Sequence, residues 1–134
     1  MQLKTKILAA AAAAIVSLGT VAVPQASAAP SDAVCNTGEV CFYYNSAAHG
    51  YGSLADFAWN IPTFNGTGYK FISGGAGQGL LVWNNAAHVW NRHATRDGRV
   101  YVNSNYAGSY DVVGKSSRRD LFATKNDNAS FKWL

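Results

Sequence analysis

The chain has 134 residues, 49% of them hydrophobic and 13% charged, with a formal net charge of +4 and two cysteines. That balance excludes a disordered chain, a collagen-like repeat and a cysteine-dense miniature scaffold. The basic residues are scattered, with only Arg92, Arg96, Arg99 and the pair Arg118-Arg119 approaching a cluster. A nucleic-acid binder needs a dense basic face, so no nucleic-acid partner is expected.

Residues 1–28 read as a secretory signal peptide. Lys4 and Lys6 form a short basic start, an alanine-rich apolar run covers residues 7–23, and Ala26-Ser27-Ala28 fits a small-x-small cleavage site. The run is at the short limit for a membrane span and its alanines are weakly hydrophobic. Cleavage after Ala28 leaves residues 29–134, one domain's worth of chain with nine basic and seven acidic residues, net +2. The expectation is a secreted, extracellular protein with no stable membrane association. Cys35 and Cys41 then enter an oxidising compartment, where the one possible intramolecular pairing is a disulfide. Closing so short a loop is worth roughly 2 kcal/mol in the chain-entropy account. The five residues between the cysteines fit no CxxC redox or metal spacing.

In chain order, residues 29–33 form a small-residue leader without pattern. Val40-Cys41-Phe42-Tyr43-Tyr44 is β-prone, residues 45–52 make a turn, and residues 54–59 read as the return strand before Pro62. Asn65-Gly66-Thr67-Gly68 breaks the chain again ahead of Tyr69-Lys70-Phe71-Ile72, a compact strand candidate. Residues 73–79 hold too many glycines for a helix or strand. Leu80-Leu81-Val82-Trp83 reads as a buried strand, Asn84-Asn85-Ala86-Ala87 closes the unit, and residues 91–98 form a polar connector. The second unit has predicted strands at 100–103, 109–113, 121–124 and 130–133. Nothing after the signal has a helical period, so the fold class is all-β, a sandwich of Greek-key type.

Two echoes divide the mature chain. Tyr43, Asn45, Ser46 and Gly50 are answered 58 positions later by Tyr101, Asn103, Ser104 and Gly108. Asn84-Asn85-Ala86-Ala87-His88 is answered 42 positions later by Asn126-Asp127-Asn128-Ala129-Ser130. The two offsets differ by 16 residues, so the first unit, about residues 35–90, carries that much extra length between its two echoes relative to the second, about 99–134. The extra length lies between Gly50 and Asn84 with the glycine-rich loop. A single repeat leaves one face of its strands uncovered, so the units are expected to pack face to face as one domain over 29–134.

Tyr101-x4-Tyr106-x-Gly108 resembles the hairpin signature of βγ-crystallin Greek keys. With Gly75-Ala76-Gly77-Gln78-Gly79, Asn84-Asn85-Ala86-Ala87, residues 99–108 and Asn126-Asp127-Asn128-Ala129-Ser130-Phe131, the mature chain also resembles the secreted peptidase inhibitors typified by the Streptomyces metalloproteinase inhibitor. The resemblance implies two Greek keys packed as a βγ-crystallin-like sandwich, and inhibition of an extracellular protease, metalloproteinases in particular, by blocking the active-site cleft. Three departures matter. The first unit has Ala48 where the hairpin signature has an aromatic, so that turn should lack its cover. The metalloproteinase-inhibiting type has two disulfides and this chain can form one. No cysteine-tethered inhibitory loop therefore carries over, and no reactive bond is assigned.

Catalytic motifs are missing from the sequence: no HExxH, no GxSxG and no P-loop. His49, His88 and His93 are dispersed and read as surface or turn residues, so no enzyme, no catalytic residue and no cofactor is expected. Asn126, Asp127 and Ser130 resemble the oxygen-ligand core of a crystallin calcium site, but the partner stretch at 84–88 has neither carboxylate nor hydroxyl, so calcium binding is expected to be weak at best. The contact loop for a protease is placed at Gly77, Gln78, Gly79 and Leu80, in the inserted segment, with Leu80-Leu81 as an apolar anchor. The alternative is a monomeric binding module for calcium, a glycan or a cell-envelope partner, without inhibitory activity.

Overall fold

The structure is a computed structural model that describes residues 31–134; the predicted signal peptide lies outside the described residues. Seven strands form two antiparallel sheets: β1 (Val40–Tyr43), β2 (Leu54–Phe57), β3 (His88–Asn91), β4 (Gly98–Asn103), β5 (Ala107–Val113), β6 (Ser117–Asp120) and β7 (Ser130–Trp133). One sheet has the order β2-β1-β3-β6 and the other β5-β4-β7. Alternate residues point into the interior, so Val40, Phe42, Ala55, Phe57 and Val89 from the first sheet meet Val100, Val113, Phe131 and Trp133 from the second. Phe42 sits at the centre, with ring centroids 5.0 Å from Phe64 and 5.9 Å from Phe131. Each of these buried rings stabilises the fold by about 1.5–3 kcal/mol over an exposed one.

The ladders carry the same two offsets as the sequence. Tyr43 lies opposite His88 in the first sheet and Tyr101 opposite Ser130 in the second, 58 residues on for the tyrosines and 42 for their partners. Each half also lends a segment to the other's sheet. β6 follows the second hairpin yet pairs with β3. In return Ile61 lies beside β7, its N–H donating to Phe131 O at 2.8 Å and its carbonyl accepting from Phe131 N at 2.9 Å. Phe64 N donates to Ala129 O (2.8 Å) in the same exchange. The two halves are thus stitched through backbone as well as through the core.

Several predicted elements differ from this arrangement. Residues 69–72 and 80–83 form no strands; they meet only through one bridge between Lys70 and Leu81, because the glycines between them keep the chain in tight turns. The strand expected at 121–124 lies earlier, at β6, whose four residues are all exposed. It has no apolar alternation to betray it, and its charges suit an edge strand. Residues 88–90 carry no predicted element and Asn91 falls in the polar connector; together they form the central strand β3, and the Asn91 side chain is fully buried, donating to Arg96 O and Val113 O. The leader is anchored too: Ser31 Oγ and Ala33 N donate to the buried carboxylate of Asp56 at 2.6 and 3.0 Å. Cys35 and Cys41 form a disulfide, Cα atoms 5.9 Å apart, joining this incoming segment to β1.

The second hairpin is held by Ser130, whose hydroxyl donates to Asn103 O (2.6 Å) and accepts from Tyr106 N (3.1 Å). Gly108 there has φ +80°, and a Cβ on it would lie 2.6 Å from Asn103 Nδ2 and 2.7 Å from Val102 Cγ2. The first hairpin was expected to lack an aromatic cover. Tyr51 supplies one from just beyond Gly50, its ring 5.4 Å from Tyr43 and 4.8 Å from His88, which stands where the second unit has Ser130.

Candidate functional site

The glycine-rich loop is not slack. Its entry is tied to β2, with Leu54 N donating to Ser73 Oγ (2.7 Å) and Ser53 N to Ala76 O (2.9 Å). Its exit folds back on the entry: Gly79 N donates to Phe71 O at 2.8 Å and Phe71 N to Leu80 O at 2.9 Å. Between them, Gln78 N donates to Gly75 O (3.2 Å) and Leu80 N to Gly77 O (3.0 Å). Gly77 presses flat on the ring of Tyr44, where a Cβ would collide with the ring atoms, and it has φ +87°. Only glycine fits both demands. Of the four residues expected to contact a protease, Gln78, Gly79 and Leu80 are exposed and Gly77 is the buttress behind them. Leu80 is 46% exposed, and Ile72 on the adjoining segment is exposed as well.

Segment 81–87 runs from this loop to β3 and bonds to the second unit on the way. Asn85 Nδ2 donates to Leu81 O (3.0 Å), Asn84 N to Asn128 O (2.9 Å) and Ala86 N to Asn128 Oδ1 (3.0 Å). Asn128 is fully buried and its Nδ2 donates to Val82 O at 2.8 Å. Asn84 and Asn126, 42 residues apart, both take left-handed backbone, φ 58° and 54°. They line an open recess of about 400 Å³ together with His49, Asn85 and Lys125. Of the calcium-type residues only Asn126 reaches this recess. Ser130 Oγ is spent on the hairpin, and Asp127 is exposed with its N–H on Thr124 O. A recess lined by a lysine and by no carboxylate does not fit a divalent cation. Among the described residues no three His, Cys, Asp or Glu side chains group as a metal site.

His88, expected at the surface, is buried. Its Nδ1 lies 2.7 Å from Asp120 Oδ1, and its ring stacks edgewise on Tyr43 and Tyr51. Asp120 also accepts from Ala47 N (2.9 Å); that bond and the one to His88 hold its carboxyl below the usual range. The pair locks edge strand β6 to the first hairpin turn. His49 and His93 remain in turns, bonded locally through Nδ1 to Ser46 Oγ and to the N–H groups of Thr95 and Arg96.

The most exposed large apolar side chain among the described residues is one the sequence reading passed over: Phe122, 87% exposed. The sequence places it only within a predicted strand at 121–124. Its neighbours Leu121 and Thr124 turn inward and are buried, which leaves Phe122 facing out.

No family model matches the chain, and no curated protein matches it. Two solved structures are similar to it. One, described as "Evolution of the eye lens beta-gamma-crystallin domain fold", shares 13% identity at a TM-score of 0.54, covering 75% of this chain and 90% of that one. The other, the N-terminal domain of protein S, shares 18% identity at a TM-score of 0.52, covering 72% and 94%. The fold is that of a βγ-crystallin domain. At such identities the likeness speaks for the fold alone, and neither structure bears on the inhibitor family. Within the βγ-crystallin frame, the braced glycine loop leads directly into the 81–87 segment, and at the segment's far end Ala87 O accepts from Leu121 N (2.9 Å), beside the outward Phe122. Among the described residues no helix is long and apolar enough to cross a membrane. The disulfide suits an oxidising environment.

Proposed function

We propose that this βγ-crystallin-like chain is a secreted peptidase inhibitor that blocks the active-site cleft of an extracellular protease. The observation that carries the reading is the braced loop: an apolar Leu80 exposed on a backbone tied to β2, to Phe71 and to the Tyr44 ring. Affinity for a cleft depends less on area than on how little must be ordered on docking, and ordering a free backbone costs about 1–2 kcal/mol per residue. Glycines usually make a loop floppy; here each hydrogen bond and the Tyr44 contact remove that freedom before a protease arrives. The resemblance to the metalloproteinase-inhibitor type makes metalloproteases the first targets to try.

The test is titration of residues 29–134 against thermolysin-like, subtilisin-like, chymotrypsin-like and trypsin-like proteases, followed by Leu80→Asp. Inhibition of at least one class, weakened by that variant, supports the reading. No inhibition of any class at micromolar concentration sinks it.

A further inference from the structure

We infer that Phe122 is a preformed aromatic plug for the specificity pocket of a protease that prefers large apolar side chains. The inference rests on the inhibitor reading above and adds to it a second contact, from the second unit. A phenyl ring 87% exposed on a mobile loop would be unremarked. This loop is fixed from behind. Buried Asp111 turns one oxygen, Oδ2, to three donors: Phe122 N at 3.0 Å, Thr124 N at 2.9 Å and Thr124 Oγ1 at 2.7 Å. Leu121 N and Asn126 N donate to Ala87 O and Ala86 O at 2.9 and 2.8 Å, closing both ends of the loop on the 81–87 segment. Leu121 is buried, so the chain cannot rotate Phe122 inward without expelling it.

The result is a rigid stalk that keeps an apolar side chain in water, where leaving it is unfavourable unless a partner covers it. Binding hot spots have this form, an aromatic inserted into a desolvated pocket. The flanks say more about the pocket. Within residues 115–127, Lys115, Arg118, Arg119 and Lys125 are exposed cations, against Asp120 and Asp127 as exposed anions. Asp120 is bound to His88 and Ala47 N, Arg119 Nη2 lies 3.5 Å from Asp111, and Arg118 lies over Tyr51 and Trp90. That leaves Lys115 and Lys125 against Asp127, a net positive flank. An apolar slot with an acidic rim complements that surface; a trypsin-type slot, with a carboxylate at its base, does not suit a phenyl ring. Residues 123–126 are in a turn and not extended. Phe122 therefore acts by filling the slot, and no peptide bond beside it is presented for cleavage.

The experiment compares the inhibition constants of the wild type, Phe122→Ala, Phe122→Tyr and Leu80→Ala at residues 29–134, against chymotrypsin-like and thermolysin-like enzymes, with thermal melts of each. Phe122→Ala should weaken inhibition about a hundredfold, while Phe122→Tyr keeps it within about threefold and neither variant lowers the melting temperature. If Phe122→Ala inhibits like the wild type while Leu80→Ala does not, the plug is wrong and the inhibitor reading stands on the glycine loop. If the wild type inhibits no protease, both fall.

Discussion

Asn128 joins the two Greek keys through one side chain, so its removal gives a sharp prediction. In Asn128→Ala, Ala86 N loses its acceptor at 3.0 Å and Val82 O its donor at 2.8 Å, both in a fully buried site. Each orphaned backbone group costs about 1–3 kcal/mol, so the expected loss is about 2–6 kcal/mol. At about 4–8 °C per kcal/mol for a domain of this size, the melting temperature should fall by at least about 8 °C. Urea unfolding with the linear extrapolation gives the free energy, and an unchanged slope shows that the loss belongs to the native state. Lys125→Ala, exposed three residues away, is the control and should cost less than about 0.5 kcal/mol. Asn128→Asp adds a sign. It keeps an acceptor for Ala86 N but sets a carboxylate against Val82 O. Burial and that carbonyl raise its folded-state pKa, so this variant should gain stability as pH falls and the neutral acid restores an O–H donor. A loss below about 1 kcal/mol for Asn128→Ala, or no such gain for Asn128→Asp, would refute the bridging role.

Other outcomes follow from single residues. Replacing Gly108 by alanine forces a left-handed residue against Asn103 and Val102 and should cost about 1–3 kcal/mol, while inhibition by the folded fraction stays near wild type. Burial pushes the Asp111 carboxyl up, but the Thr124 hydroxyl and the N–H groups of Thr124, Phe122 and Ala123 outweigh it and bring the net value below the ordinary one. Its stabilisation is therefore complete above the unfolded carboxylate pKa of about 4 and lost as pH falls through the lower folded value. Asp111→Asn should flatten that part of the acid-unfolding curve. Reducing Cys35–Cys41 should lower stability by roughly 2 kcal/mol without unfolding the chain at 25 °C, since the bridge closes only a short loop.

Much of the fold was legible without coordinates. The alternation of Val100, Val102 and Tyr101 around a turn with Gly108, the two echoes and the even cysteine count point to paired antiparallel units and a disulfide, because period-two burial and left-handed turns demand particular residue types locally. The identity of the inserted loop was legible too, as a run of glycines too dense for regular structure. Its stiffness was not. That depends on Tyr44 and Ser53, both distant in sequence, and on Phe71 coming to rest against Gly77, Ala76 and Gly79.

The same limit hid the exchange of β6 and Ile61 between the sheets. Edge pairing is chosen by backbone hydrogen bonds, which every residue offers alike, and the exposed Ser117-Arg118-Arg119-Asp120 carries no apolar pattern. It hid His88, buried through its contacts with Tyr51 and Asp120, 37 residues before and 32 after it. It also hid Phe122. In sequence Phe122 sits beside Leu121 as one more apolar residue; only Asp111, holding the loop from behind, decides which of the two enters the core. Local periodicity and turn chemistry were determined by the residue types themselves. Which turns are rigid and which apolar side chains stay in water was decided by tertiary contacts, because both depend on partners that only the folded chain brings together.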